Sequence, residues 1–128
     1  MNPVIIESEQ QKLVSAQPSI ILADRHAKYV LPLQSILRLE SKRVYTIVYC
    51  KDKEGLVCCK NIRMVHESLN ENFFRVHRSH VINLREISTV ITGTNMKIVM
   101  SDGAEVPVSQ RKKSAFLKAF YESAGRRA

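Results

Sequence analysis

Phe73-Phe74-Arg75-Val76-His77-Arg78-Ser79-His80-Val81-Ile82-Asn83 is the most informative stretch of the chain. Two aromatics lead an alternating run, an Arg-Ser step interrupts it, and a second apolar run follows at once. This pattern predicts two strands, Phe74 to His77 and Val81 to Asn83, joined by a tight charged corner. Held between two buried strands, Arg78 would be fixed far better than on a free loop.

Short runs of the same texture lie on both sides. Rich in Val, Ile, Leu and Tyr, they predict strands at Ile20 to Asp24, Ala27 to Leu31, Ile36 to Glu40, Val44 to Cys50, Leu56 to Lys60, Ser88 to Thr92, Met96 to Met100 and Glu105 to Val108. Asp52-Lys53-Glu54-Gly55 and Ser101-Asp102-Gly103 read as hairpin tips, the second with the favoured Asp-Gly pair. Val44 to Cys50 is apolar on both alternating sets, Val44, Thr46 and Val48 against Tyr45, Ile47 and Tyr49. It is therefore expected to be central and covered on both faces.

Helical spacing occurs twice. Ile62, Val65 and Leu69 recur after Asn61, which can cap a first turn, and predict one short helix. A second helix is expected from near Ser109 to about Glu122, with Phe116, Leu117, Ala119 and Phe120 as its apolar face. Arg111, Lys112 and Lys113 then crowd its first turn, where the helix dipole disfavours cations by a few tenths of a kcal/mol each unless an anion joins them. A phosphate there would meet amides and side chains together. Residues 1–17 fit a short helix or a loosely attached arm, residues 18–122 the folded body, and residues 123–128 a basic tail. The expected fold is one mainly β domain of small stacked antiparallel sheets, with one or two short helices and a C-terminal helix.

Composition agrees with a single folded domain: 128 residues, 45% of them apolar and 25% charged. No apolar run approaches the roughly 20 residues that span a bilayer, and the N-terminus lacks the layout of a signal peptide, so a cytoplasmic protein with no membrane partner is expected. Cys50, Cys58 and Cys59 are odd in number, and the adjacent two should face opposite ways on a strand, which argues against a disulfide scaffold. The formal net charge is +8, a surplus that points to a polyanion, nucleic acid first. It is concentrated, with +4 over residues 41–80 and +5 over residues 109–128, against zero over 1–40 and −1 over 81–108.

Catalytic apparatus is missing from the sequence. There is no Gly-rich phosphate loop, no nucleophile elbow and no HExxH, and nothing calls for a cofactor. His77 and His80 lie three apart, but zinc needs three or four ligands and neither a Cys nor an acid lies near them in sequence, so a structural or DNA-facing role is expected and no metal site. Cys58 and Cys59 read as packing residues rather than redox sensors.

FFRVHRSHVINLREI resembles the signature stretch of the LytTR family, in which a strand ending in F-x-R-x-H-R-S precedes an apolar strand ending in Asn. SILRLESKRVYTIVY is similar to that family's I-x-x-I-E-A/S, basic or Asn-containing tip and Tyr-rich strand, and EVPVSQRKKSAF to its closing L-P-V-S-R. The three stretches occur in the family's order and spacing and cover residues 18 to 122. The resemblance implies a bacterial module that binds double-stranded DNA through basic loops entering successive major grooves, without a recognition helix. It implies transcription regulation without catalysis, with paired repeats bound by two copies. Family members usually carry a phosphorylatable receiver domain ahead of the module; the 17 or so residues preceding it here hold none, so the chain is expected to be a stand-alone regulator or a fragment of a longer one.

By the same resemblance, Lys42 and Arg43 stand at one DNA-contact position, Arg78 with Ser79 at a second, and Ser109, Gln110 and Arg111, followed by Lys112 and Lys113, at a third. One departure matters. The family usually has Arg directly after the V-S pair, where a guanidinium can read guanine; here Gln110 holds that place and Arg111 follows. Either Arg111 reaches in from one residue later, or Gln110 reads a base itself, with adenine its natural partner. Two readings from other classes compete: a small β-rich RNA-binding protein, and a protein-interaction or membrane-surface module using an undocked, cationic last helix. The first lacks an evident aromatic stacking pair, because Phe73, Phe74, Phe116 and Phe120 all read as core.

Overall fold

The computed structural model describes residues 18–124. Along it run β1 Ser19–Ala23, β2 Lys28–Pro32, β3 Ile36–Lys42, β4 Tyr45–Cys50, β5 Leu56–Cys58, α1 Ile62–Glu67, β6 Phe73–His77, β7 His80–Asn83, β8 Ile87–Ile91, β9 Lys97–Met100, β10 Glu105–Pro107 and α2 Lys113–Ala124. Short 3-10 turns at Leu33–Ser35, Leu84–Glu86 and Gln110–Lys112 join β2 to β3, β7 to β8 and β10 to α2. Each strand expected from the sequence is present within a few residues of its expected bounds. The expectations for an arm over residues 1–17 and for Arg126 and Arg127 lie outside the described residues.

Local chemistry closes the connections. At the β9–β10 tip Gly103 takes φ +90° and its amide donates to the Met100 carbonyl at 2.8 Å, a backbone conformation that glycine tolerates without steric cost. Asn61 caps α1 by accepting the Met64 amide at 2.9 Å. The strands pair antiparallel into a β1–β2 hairpin, a five-stranded sheet in the order β5-β4-β3-β7-β6, and a three-stranded sheet in the order β10-β9-β8.

The five-stranded sheet separates two cores. On one side Leu39, Val48, Val81, Cys50 and Cys58 pack with Ile62 and Val65 of α1 and with Leu22 and Leu31 of the β1–β2 hairpin. On the other, Val76 and Ile82 pack with Ile98, Met100 and Val106 of the three-stranded sheet and with Phe116 of α2. Phe116 is fully buried, edge-on to Phe74 with ring centroids 6.2 Å apart. The helix thus buries the apolar face expected of it. Cys58, at the end of β5, is buried and Cys59, just beyond the strand, is exposed, and all three thiols are free.

Two expectations are corrected. β4 is interior, but β3 holds the centre of the sheet, and β4 is sealed on one face only. Thr46, Val48 and Cys50 are buried, with the Thr46 hydroxyl donating to the Lys60 carbonyl at 2.8 Å, whereas Tyr45 is 45% exposed and Val44 precedes the strand in a turn. The reason is coverage: the second core packs on the β6–β7 side of that face. Over β3 and β4 the face carries Arg38, whose guanidinium lies 3.8 Å from the centre of the Tyr49 ring, and the Tyr49 hydroxyl, which donates to Glu40 at 3.1 Å. Secondly, α2 begins at Lys113 and not near Ser109. The Ser109 amide is taken by the Val76 carbonyl at 2.9 Å and the Lys112 amide returns to the Ser109 carbonyl at 3.0 Å, so the segment between closes as a 3-10 turn.

Candidate nucleic-acid interface

Strand pairing brings two of the expected contact loops to the same end of the five-stranded sheet. Lys42 pairs with Tyr45, leaving Arg43 and Val44 as a two-residue hairpin tip, and His77 pairs with His80, leaving Arg78 and Ser79 as the corner. β3 and β7 run side by side, and the Ser41 amide donates to the Ser79 carbonyl at 2.9 Å, which ties tip and corner together.

Arg43 has φ +58°, among the described residues the one non-glycine in the left-handed region. Two-residue hairpin tips need such a conformation, and Gly or Asn usually supplies it. An arginine there costs on the order of 1 kcal/mol.

The corner is held from several directions. The Ser79 amide donates to His77 Nδ1 at 3.0 Å, which places the ring proton of His77 on Nε2, and Arg75 donates through Nη2 to the Arg78 carbonyl. The His77 and His80 rings lie 5.3 Å apart. Burial pushes the His80 imidazole below its ordinary value; Glu40 opposes that, while His77 and Arg38 add to it. The Arg78 side chain is left exposed on a corner whose backbone is tied by these hydrogen bonds.

The third loop comes alongside. Pairing in β6 jumps from Arg75–Val81 to His77–His80, a bulge at Val76, and the Val76 carbonyl on this edge strand accepts the Ser109 amide. Arg75, His77, Arg78, Ser109, Arg111 and Lys112 thereby line one open cleft of about 400 Å³. Arg111 is exposed and Lys112 half-buried. Gln110 and Lys113 turn the other way: Gln110 Nε2 donates to the Thr94 carbonyl at 3.0 Å, and Lys113 Nζ to the carbonyls of Gly93 at 3.0 Å and Thr94 at 3.5 Å. Lys42 and Arg43 stand at the same sheet end but outside the cleft.

Among the described residues, four cations outside this region are held by acids, whereas Arg25, Lys28, Lys53, Lys60, Arg85 and Lys118 are not, so what marks this region is that its unpaired cations lie together. Lys51 is held by Glu86 at 2.9 Å, Lys97 by Glu105 at 3.6 Å, Arg63 by Glu67 at 3.2 Å and Arg38 by Glu40 at 3.7 Å. Among the described residues, Lys42, Arg43, Arg78, Arg111 and Lys112 enter no ion pair. Clustered cations without acids raise the local potential and favour an anionic partner. Arg75 was missed by the sequence reading; its place in F-x-R-x-H-R-S was a signal, but the bulge that brings it to the cleft was not visible. Among the described residues no group of three or more His, Cys, Asp or Glu side chains is arranged to hold a metal ion, and no helix is long and apolar enough to cross a membrane.

Comparison with known proteins bears on family and fold. The family model of the LytTr DNA-binding domain matches residues 26–121. Among solved structures, the chain is similar to the LytTr DNA-binding domain of a protein from Bacillus cereus described as a methyl-accepting/DNA response regulator, with a TM-score of 0.70 and 25% identity over 79% of this chain and 94% of that one. No curated protein sequence matches the chain. With three antiparallel sheets, a C-terminal helix and a family model spanning most of its length, the chain belongs to the LytTr family of DNA-binding domains.

Proposed function

We propose that this chain regulates transcription by binding double-stranded DNA sequence-specifically, with the loops at one end of the five-stranded sheet inserted into the major groove. The observation that carries the proposal is the gathering of five cations without acidic partners at the Arg43 tip, the Arg78 corner and the Arg111 turn. Arg78 and Arg111 read base edges, since a guanidinium can donate two parallel hydrogen bonds to guanine. Lys42, Arg43, Lys112 and the hydroxyls of Ser79 and Ser109 meet phosphates and fix the register. Two copies bind paired repeats, and in a longer parent chain a receiver domain would govern their pairing. The packing of Phe73, Phe74, Phe116 and Phe120 into the cores favours DNA over RNA, because it removes them as stacking platforms.

The test is selection from a random duplex pool followed by fluorescence anisotropy across a salt series. Expected are a consensus sequence and a log-affinity against log-salt slope of about −5 to −7, from five to eight phosphates at roughly −0.9 each. A flat salt response, or tighter binding to structured RNA than to any duplex, would overturn the reading.

A further inference from the structure

The geometry points to Gln110 as a positioning residue that aims Arg111, rather than as a base reader. The inference rests on the DNA-binding reading above. Two hydrogen bonds fasten the third contact loop to the β8–β9 tip, from Gln110 Nε2 to the Thr94 carbonyl and from Lys113 Nζ to the Gly93 carbonyl. A third, from the Ser109 amide to Val76, fastens it to the edge of β6. The loop is thus clamped between the two sheets. Gly93, at φ +123°, shapes the tip that offers both carbonyls.

An amide reads adenine by donating through its nitrogen and accepting through its oxygen at once. One of the two Nε2 hydrogens of Gln110 is given to Thr94; the second stays free, but the bond holds the amide against the β8–β9 tip, and Gln110 does not line the cleft that Arg78, Arg111 and Lys112 line. Arg111, next in sequence, makes no ion pair among the described residues and lines the cleft that Arg78 also lines. A clamped turn lowers the entropy lost when its exposed side chain engages a base. The base pair under this loop is therefore a G·C pair read by Arg111, and the β8–β9 tip is part of the recognition apparatus without touching the bases.

The test uses the consensus duplex selected by the parent chain, one duplex changed at the base pair to which Arg111→Ala becomes indifferent, and a double-mutant cycle of Gln110→Ala with Arg111→Ala. Arg111→Ala should lose about 5- to 150-fold on the consensus, the range of one bidentate base contact, and lose discrimination at one G·C pair. Gln110→Ala should lose about 2- to 10-fold, the range of one hydrogen bond, and keep the same preferred base with a smaller ratio against the changed duplex. That loss should vanish in the Arg111→Ala background, which a role in general folding would not produce. The inference is overturned if Gln110→Ala relaxes preference at an A·T pair while Arg111→Ala leaves base preference intact. It is equally overturned if the Gln110→Ala loss persists in full without Arg111. A parent that selects no duplex fails differently, because it removes the DNA-binding reading itself.

Discussion

At one end of the five-stranded sheet, where β3 begins and β7 stops, the connections are stitched shut. Asn83 donates to the Ile36 carbonyl at 2.9 Å from a buried position and accepts the Arg85 amide at 3.0 Å; Lys51 pairs with Glu86; the Ser101 amide and hydroxyl both reach Glu86, each at 2.8 Å. At the opposite end the backbone is as firmly held, through Ser41, His77 and Arg75, but the cations Lys42, Arg43 and Arg78 project without acids. Both ends are tied by hydrogen bonds. They differ in that one spends its polar groups on the protein itself and the other holds them ready for something else, which is what a preorganised anion-binding surface requires.

Four changes break or sharpen that contrast. Phe116→Ala should act on the second core, which supports the helix that follows the third loop, lowering stability by about 3–5 kcal/mol in urea unfolding, as the loss of a fully buried aromatic does. Asn83→Ala should strike the stitched end alone. Stranding the Ile36 carbonyl should cost about 1–3 kcal/mol in the same assay and leave the duplex affinity of folded protein unchanged. Arg43→Gly should separate the two properties at the open end: relief of the left-handed backbone should raise stability by up to about 1 kcal/mol, while anisotropy reports weaker duplex binding.

The smallest effect is on pH. Because His80 has its pKa lowered by burial, the unfolded chain takes up that proton first as pH falls through about 6.5, so stability is lost on acidification. Thermal melts from pH 7.5 to 5 should show the parent losing stability more steeply than His80→Gln; parallel curves would show that this imidazole is not the group responsible.

How much of this was readable beforehand follows from the range of each determinant. Strands, the two hairpin tips and the Arg78 corner are set by neighbours a few residues apart, so alternation and turn residues announced them. Sealing of β4 depends on how far a separate sheet spreads across its face, which no local pattern encodes. The Gln110–Thr94 bond joins residues 16 apart, and the bulge at Val76 that carries Arg75 and Ser109 to one cleft breaks the two-residue period on which strand reading relies. Arg43 was singled out for its charge, yet its backbone conformation was hidden, because Lys42-Arg43-Val44 contains no Gly or Asn to announce a two-residue turn. The candidate contacts were therefore legible as residues, whereas the clamp that separates Gln110 from Arg111 emerged from tertiary structure.

The central claim is that one end of the sheet meets DNA and the other does not, and two variants that each remove one positive charge test it directly. Arg78→Ala at the open end and Lys51→Ala at the stitched end should be compared by anisotropy on the parent's selected duplex at two salt concentrations. The account predicts a loss of about 1–3 kcal/mol for Arg78→Ala and less than about 0.5 kcal/mol for Lys51→Ala. Equal losses would mean that the duplex senses only net charge, and would contradict the assignment of the binding face.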